Sequence, residues 1–75
     1  MDVGMMWLDD DTQTSLEDKV LRAAAYYTEK YGRSPDLCLV NKAAVAQEQQ
    51  VGKIHIRPVK NVLPHHFWVG VNNNQ

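Results

Sequence analysis

The segment from Thr14 to Pro35 constrains the fold more than any other part of the chain. Thr14 and Glu17 stand at the T-x-x-E spacing of a capping box, and Ser15 and Asp18 offer the same device one residue later. Behind them Leu16, Val20, Ala23, Ala24, Tyr27 and Tyr31 recur at three- and four-residue steps, while Asp18, Lys19, Arg22, Glu29 and Lys30 fall mostly off that stripe. Gly32 suits the left-handed residue that closes a helix, and Pro35 forbids continuation. The spacing predicts one amphipathic helix over about Ser15 to Tyr31. Such a helix must lay its apolar stripe on another element.

That element reads as a sheet. Met5-Met6-Trp7-Leu8 is a short apolar run that stops at Asp9-Asp10-Asp11. Leu37-Cys38-Leu39-Val40 is apolar without alternation, the pattern of a central strand covered on both faces. Lys53 to Val59 alternates, which puts Ile54, Ile56 and Pro58 inward and His55 and Arg57 outward; Pro58 ends this strand or confines it to an edge. Phe67 to Val71 reads as a last strand. In between, Asn41 is an N-cap candidate for a short second helix through the Ala- and Gln-rich Lys42 to Gln50, where Val45 is nearly the sole bulky apolar residue.

The expected order is β-α-β-(α)-β-β, an α+β fold with a small mixed sheet of about four strands and one long helix on one face. Its expected core is Met6, Leu8, Leu16, Val20, Ala24, Tyr27, Leu37, Leu39, Ile54, Ile56, Phe67 and Val69. The ends, at about 1–4 and 72–75, are expected to fray.

With 75 residues the chain reads as a single domain, and a domain near this size buries only ~60% of the surface its unfolded chain exposes. Cys38 has no mate for a disulfide, no Cys/His set matches structural zinc, and the thiol's apolar setting makes it an inert core residue. No run approaches the ~18 apolar residues of a membrane helix, and no basic stretch leads into an apolar one at the start. Hydrophobic content of 44% and charged content of 23% fit a globular chain. A soluble cytoplasmic protein without cofactor or membrane contact is expected.

Net charge of −1 hides an asymmetry. Six acidic residues precede Lys19, while from Lys19 onward all eight basic residues occur against Glu29, Asp36 and Glu48. The split fits solvated faces and a helix start that prefers carboxylates, and it also fits a basic surface for nucleic acid. For the latter, Lys53, His55, Arg57, Lys60 and Trp68 are the candidate strip, basic with one aromatic.

Two further clusters offer chemistry. Asp9, Asp10 and Asp11 with Asn41 follow strand ends where open sheets hold ligands, and such oxygen-rich groups suit Mg²⁺ or Ca²⁺. Their spacing matches no calcium loop, and a solvated loop feeding the helix is the simpler reading. His65 and His66, after Pro64, offer a ligand or a general base, but neighbours on an extended segment point to opposite faces, and a polar turn before a strand explains them as well. P-loop, GxGxxG and GxSxG motifs are absent.

Tyr31 to Asn41 resembles the helix-turn-strand passages of tailed-phage capsid shells, a pattern generic to many folds that implies no activity here. The leading functional expectation is a non-catalytic protein-interaction module that self-associates as a homodimer or larger. A central strand apolar on both sides needs more cover than one helix stripe supplies. A nucleic-acid-binding domain and, after it, a metal-assisted hydrolase are the alternatives.

Overall fold

The structure, a computed structural model, describes residues 4–72. Six elements follow in chain order: β1 (Gly4–Leu8), α1 (Leu16–Tyr31), β2 (Leu37–Asn41), β3 (Gln49–Val51), β4 (Ile54–Val59) and β5 (His66–Gly70). They form the expected α+β fold, with α1 on one face of a mixed sheet ordered β1-β5-β2-β4-β3. β5 runs antiparallel to both β1 and β2, so those two strands share a direction without touching; β2 and β4 pair in parallel, and β3 closes the far edge antiparallel to β4.

Ser15, rather than Thr14, is the N-cap: its hydroxyl accepts the Asp18 N–H, and Glu17 and Asp18 fill the first turn where the helix dipole favours acids. At the other end Gly32 is left-handed at φ 75 and donates its N–H to Thr28 O, as the Gly32-Pro35 signal required. Val20, Ala23, Ala24 and Tyr27 are the buried stripe, and the two alanines allow the helix a close approach to the sheet. They meet Cys38 and Val40 of β2, Ile54 and Ile56 of β4, and Phe67 and Val69 of β5.

Three expectations change. First, the sheet has five strands, and Lys42 to Gln50 forms no helix. Asn41 takes the Ala43 N–H on its side-chain oxygen and the Ala44 N–H on its backbone oxygen, so it starts a turn instead of capping a helix. Only Gln49 and Gln50 of that segment enter a strand, joining Val51 as β3, which connects to β4 by the two-residue loop Gly52-Lys53, where Gly52 at φ 59 supplies the positive angle such hairpins need.

Second, the phase of β1 is the reverse of the expected core. Met5 and Trp7 face the helix, with Trp7 on Tyr26 at 4.4 Å between ring centroids, whereas Met6 and Leu8 are 55% and 60% exposed. A one-residue slip flips every side chain of a strand, and the larger indole takes the sheltered side. Third, Leu39 leaves the helix-side core for the opposite face, where it is half-buried, while Val40, Val45, Val62 and Val71 are buried. Pro58 lies within β4, but β3 pairs only as far as Ile56, so β4 is an edge where Pro58 stands. Of the ends expected to fray, Gly4 begins β1 and Asn72 donates its N–H to Asp36 Oδ1, while 1–3 and 73–75 lie outside the described residues.

Candidate functional site

Alternation within the strands creates the first candidate surface, the face of the sheet that α1 does not cover. Pairing across β1, β5, β2 and β4 sets Met6 beside Trp68, Trp68 beside Leu39, and Leu39 beside Arg57 in one row. In the next row Gly4, Gly70, Leu37 and His55 follow one another. The small residues of β1 and β5 leave a trough, and the Trp68 indole lies in it so closely that a Cβ on Gly4 would fall 2.1 Å from Trp68 Cζ2. Trp68 thus seals part of the face with its own ring, while Met6 and Leu8 remain open.

At the far end of the row Glu48, just ahead of β3, takes a hydrogen bond from His55 Nε2 on one carboxylate oxygen and lies 3.4 Å from Arg57 Nε with the other. The His55 hydrogen bond first, and the nearby Arg57 charge after it, hold the Glu48 carboxyl below the usual carboxylate range. Of the basic strip expected for nucleic acid, His55, Arg57 and Trp68 share this face; Lys53 stands in the hairpin loop and Lys60 beyond β4, both exposed. Glu48 offsets the charge of the first two, which a phosphate backbone would need.

A second surface lies at the ends of the strands. The carboxyl ends of β1 and β2 point to one edge, and the turn that starts β5 arrives between them, so that Asp9, Asn41, His65 and His66 line a single cleft of about 300 Å³ with Lys19, Phe67 and neighbouring small residues. The acidic loop and the histidine pair therefore converge in space. They do not gather as a metal centre: among the described residues no group of three or more His, Cys, Asp or Glu side chains is so placed.

The loop carboxylates have other work. Asp9 is buried, pairs with Arg22 Nη1 at 3.1 Å, and accepts the Asp11 N–H. Asp11 accepts from the Thr14 hydroxyl and the Gln13 N–H, and these two bonds, in that order, hold its carboxyl below the ordinary range. Asp10 is exposed. Asn41 is also engaged, donating to Val62 O at 2.8 Å.

The histidines differ in setting. His65 sits at φ 65 in the Leu63–His66 turn, closed by His66 N–H to Leu63 O, and its carbonyl accepts the Asp9 N–H. A positive φ outside glycine costs of order 1 kcal/mol, and histidine is among the residues that tolerate it. His66 Nδ1 lies 2.9 Å from Pro64 O, and a carbonyl can only accept, so Nδ1 carries the hydrogen and, in the neutral ring, Nε2 is the acceptor.

Lys19, Leu16 and Phe67 in the cleft, and Met6, Leu8 and Glu48 on the open face, were not among the residues singled out as candidates. A usable signal existed for Glu48 alone: the two-residue Gly52-Lys53 loop, read as a hairpin, would have set it opposite Arg57.

What the fold and these surfaces define is a small α+β domain with one open sheet face and one cleft at the strand ends. No family model, curated protein or solved structure matches the chain. No helix among the described residues is long and apolar enough to cross a membrane.

Proposed function

We propose that the chain is a small non-catalytic interaction module that self-associates, two copies stacking the open faces of their sheets. The observation that carries this reading is the apolar row Met6, Trp68 and Leu39 on the face opposite α1, where Met6 is exposed and Trp68 and Leu39 are half-buried. Contiguous exposed apolar surface favours association, and a core built on one helix stripe gains most from a second covering layer.

A second copy suits this face because its charged margin is already paired within each chain. The row ends in Arg57 beside Glu48, one charge of each sign. A twofold axis along the row sets apolar side chains against apolar ones, and because each copy brings Arg57 together with its own Glu48, the isologous contact buries no net charge. Nucleic acid would instead require surplus positive charge here, and Glu48 removes it. The proposal carries a cytoplasmic setting, in keeping with a lone buried thiol.

Sedimentation equilibrium tests the reading. The wild type is expected at twice the chain mass by several hundred micromolar. Met6→Lys or Leu39→Lys should return it to the chain mass with the helical circular dichroism intact. A single-chain mass across that range would overturn the proposal. So would association that survives both variants, while salt-sensitive oligonucleotide binding lost on Arg57→Ala would replace it with the nucleic-acid alternative.

A further inference from the structure

The cleft at the strand ends has a use separate from self-association. It lies on the edge where open sheets bind ligands, at the carboxyl ends of two strands that share a direction, and its volume of about 300 Å³ falls at the lower end of small-molecule sites. Its lining is mainly apolar, with Leu16, Pro64, Ala43 and Ala44 around the mouth and the core residue Phe67 behind them.

Two polar groups in this lining retain unused capacity. The Lys19 ammonium makes one long hydrogen bond, 3.4 Å to Asp9 O, which leaves donors free. Asp9, the acid in the lining, is no competitor for it, since its carboxylate is taken by Arg22 and the Asp11 N–H. His66, with Nδ1 committed to Pro64 O, presents Nε2 as an acceptor in a fixed tautomer.

We propose that this cleft binds a small hydroxylated organic acid: its carboxylate pairs with Lys19, its apolar body lies on Leu16 and Pro64, and its hydroxyl donates to His66 Nε2. The lysine selects the anion, and the histidine selects an acid bearing a hydroxyl over its plain counterpart. The strained turn at His65 fixes the His66 backbone, through the bond from His66 N–H to Leu63 O, before any ligand arrives.

Nitrogen-15 correlation spectra of the full chain, recorded at dilute concentration, provide the test with 4-hydroxybenzoate, benzoate and 4-hydroxybenzylamine as probes. The hydroxy acid should shift the Ala43, Ala44, His66 and Phe67 amides saturably, and benzoate should bind about three- to tenfold more weakly, as loss of one hydrogen bond implies. The amine should not bind. His66→Phe keeps ring bulk and should make the two acids equal, whereas Lys19→Met should weaken both alike. The proposal is overturned if no probe saturates by about 10 mM, if the amine matches the acid, or if the hydroxyl preference survives in His66→Phe. Because the cleft and the open face are different surfaces, loss of either reading leaves the other standing.

Discussion

Replacing Gly4 by alanine sets two effects of opposite sign against each other, and the structure decides between them. Alanine in a strand is ordinarily the better residue by roughly 0.5–1 kcal/mol, because glycine loses more conformational freedom on folding. At Gly4, however, the new Cβ would stand 2.1, 2.2 and 2.6 Å from Cζ2, Cε2 and Nε1 of Trp68. Ordinary contacts are near 3.5–4.0 Å, so the ring cannot yield by a few tenths of an ångström and must swing off the trough.

An aromatic ring buries about 150–250 Å², and exposing half of that at ~25 cal/mol per Å² costs roughly 2–3 kcal/mol. After the intrinsic gain is subtracted, Gly4→Ala should destabilise by about 1–2 kcal/mol, which corresponds to roughly 4–15 °C in melting temperature for a domain of this size. Urea denaturation with tryptophan emission reads both consequences: a lower midpoint and a red-shifted native spectrum. The decisive comparison uses Trp68→Ala as background. With the indole gone, Gly4→Ala should turn stabilising by about 0.5 kcal/mol, the propensity effect alone. An equal cost in both backgrounds would refute the packing argument.

Two further outcomes follow from charged and nucleophilic groups. The folded-state pKa of Glu48 is depressed, so its contribution is present above the unfolded carboxylate value and lost as pH falls through the lower folded one. The difference in urea midpoint between wild type and Glu48→Gln should therefore shrink as pH falls below the ordinary glutamate value of about 4.3; a pH-independent difference would refute the assignment to His55 and Arg57. Cys38 is fully buried and its thiol is pushed up to about 12 by desolvation. A maleimide at pH 8 should label it only as fast as the protein opens, with labelling complete at once in strong denaturant; prompt labelling of the native protein would refute its burial.

Much of the fold was legible because its strongest signals are local. The Ser15 cap, the Gly32 stop and the three- and four-residue stripe of α1 each rest on neighbours in sequence, as does the alternation that faces Ile54 and Ile56 inward. Errors arose where tertiary context outvoted composition. Lys42 to Gln50 has helix-favouring residues but one bulky apolar side chain, and Asn41 spent its capping groups on a turn. β3 is Gln-Gln-Val, with a single β-branched residue and no aromatic one, and exists by pairing with β4. In β1 four consecutive apolar residues carry no phase, so which of Met5, Met6, Trp7 and Leu8 faced the helix was a packing decision. The cleft was foreseen as a sheet edge, but its lining by Lys19 and Phe67 required the place of β5.

That place is the common origin of both surfaces. β5 enters between β1 and β2, antiparallel to each, so its first residues meet the last residues of the other two strands. The turn carrying His65 and His66 is thereby delivered to Asp9 and Asn41, joining three places that are far apart in sequence. The same insertion sets Trp68 between Met6 and Leu39 and joins three isolated apolar side chains into a continuous row. Had β1 paired directly with β2, the histidine turn would have had no reason to arrive at this edge, and Met6 and Leu39 would have adjoined without an indole between them. With α1 committed to the opposite face, no helix among the described residues covers that row. The strand order that forms the cleft therefore also forms the face on which the proposed second copy stacks.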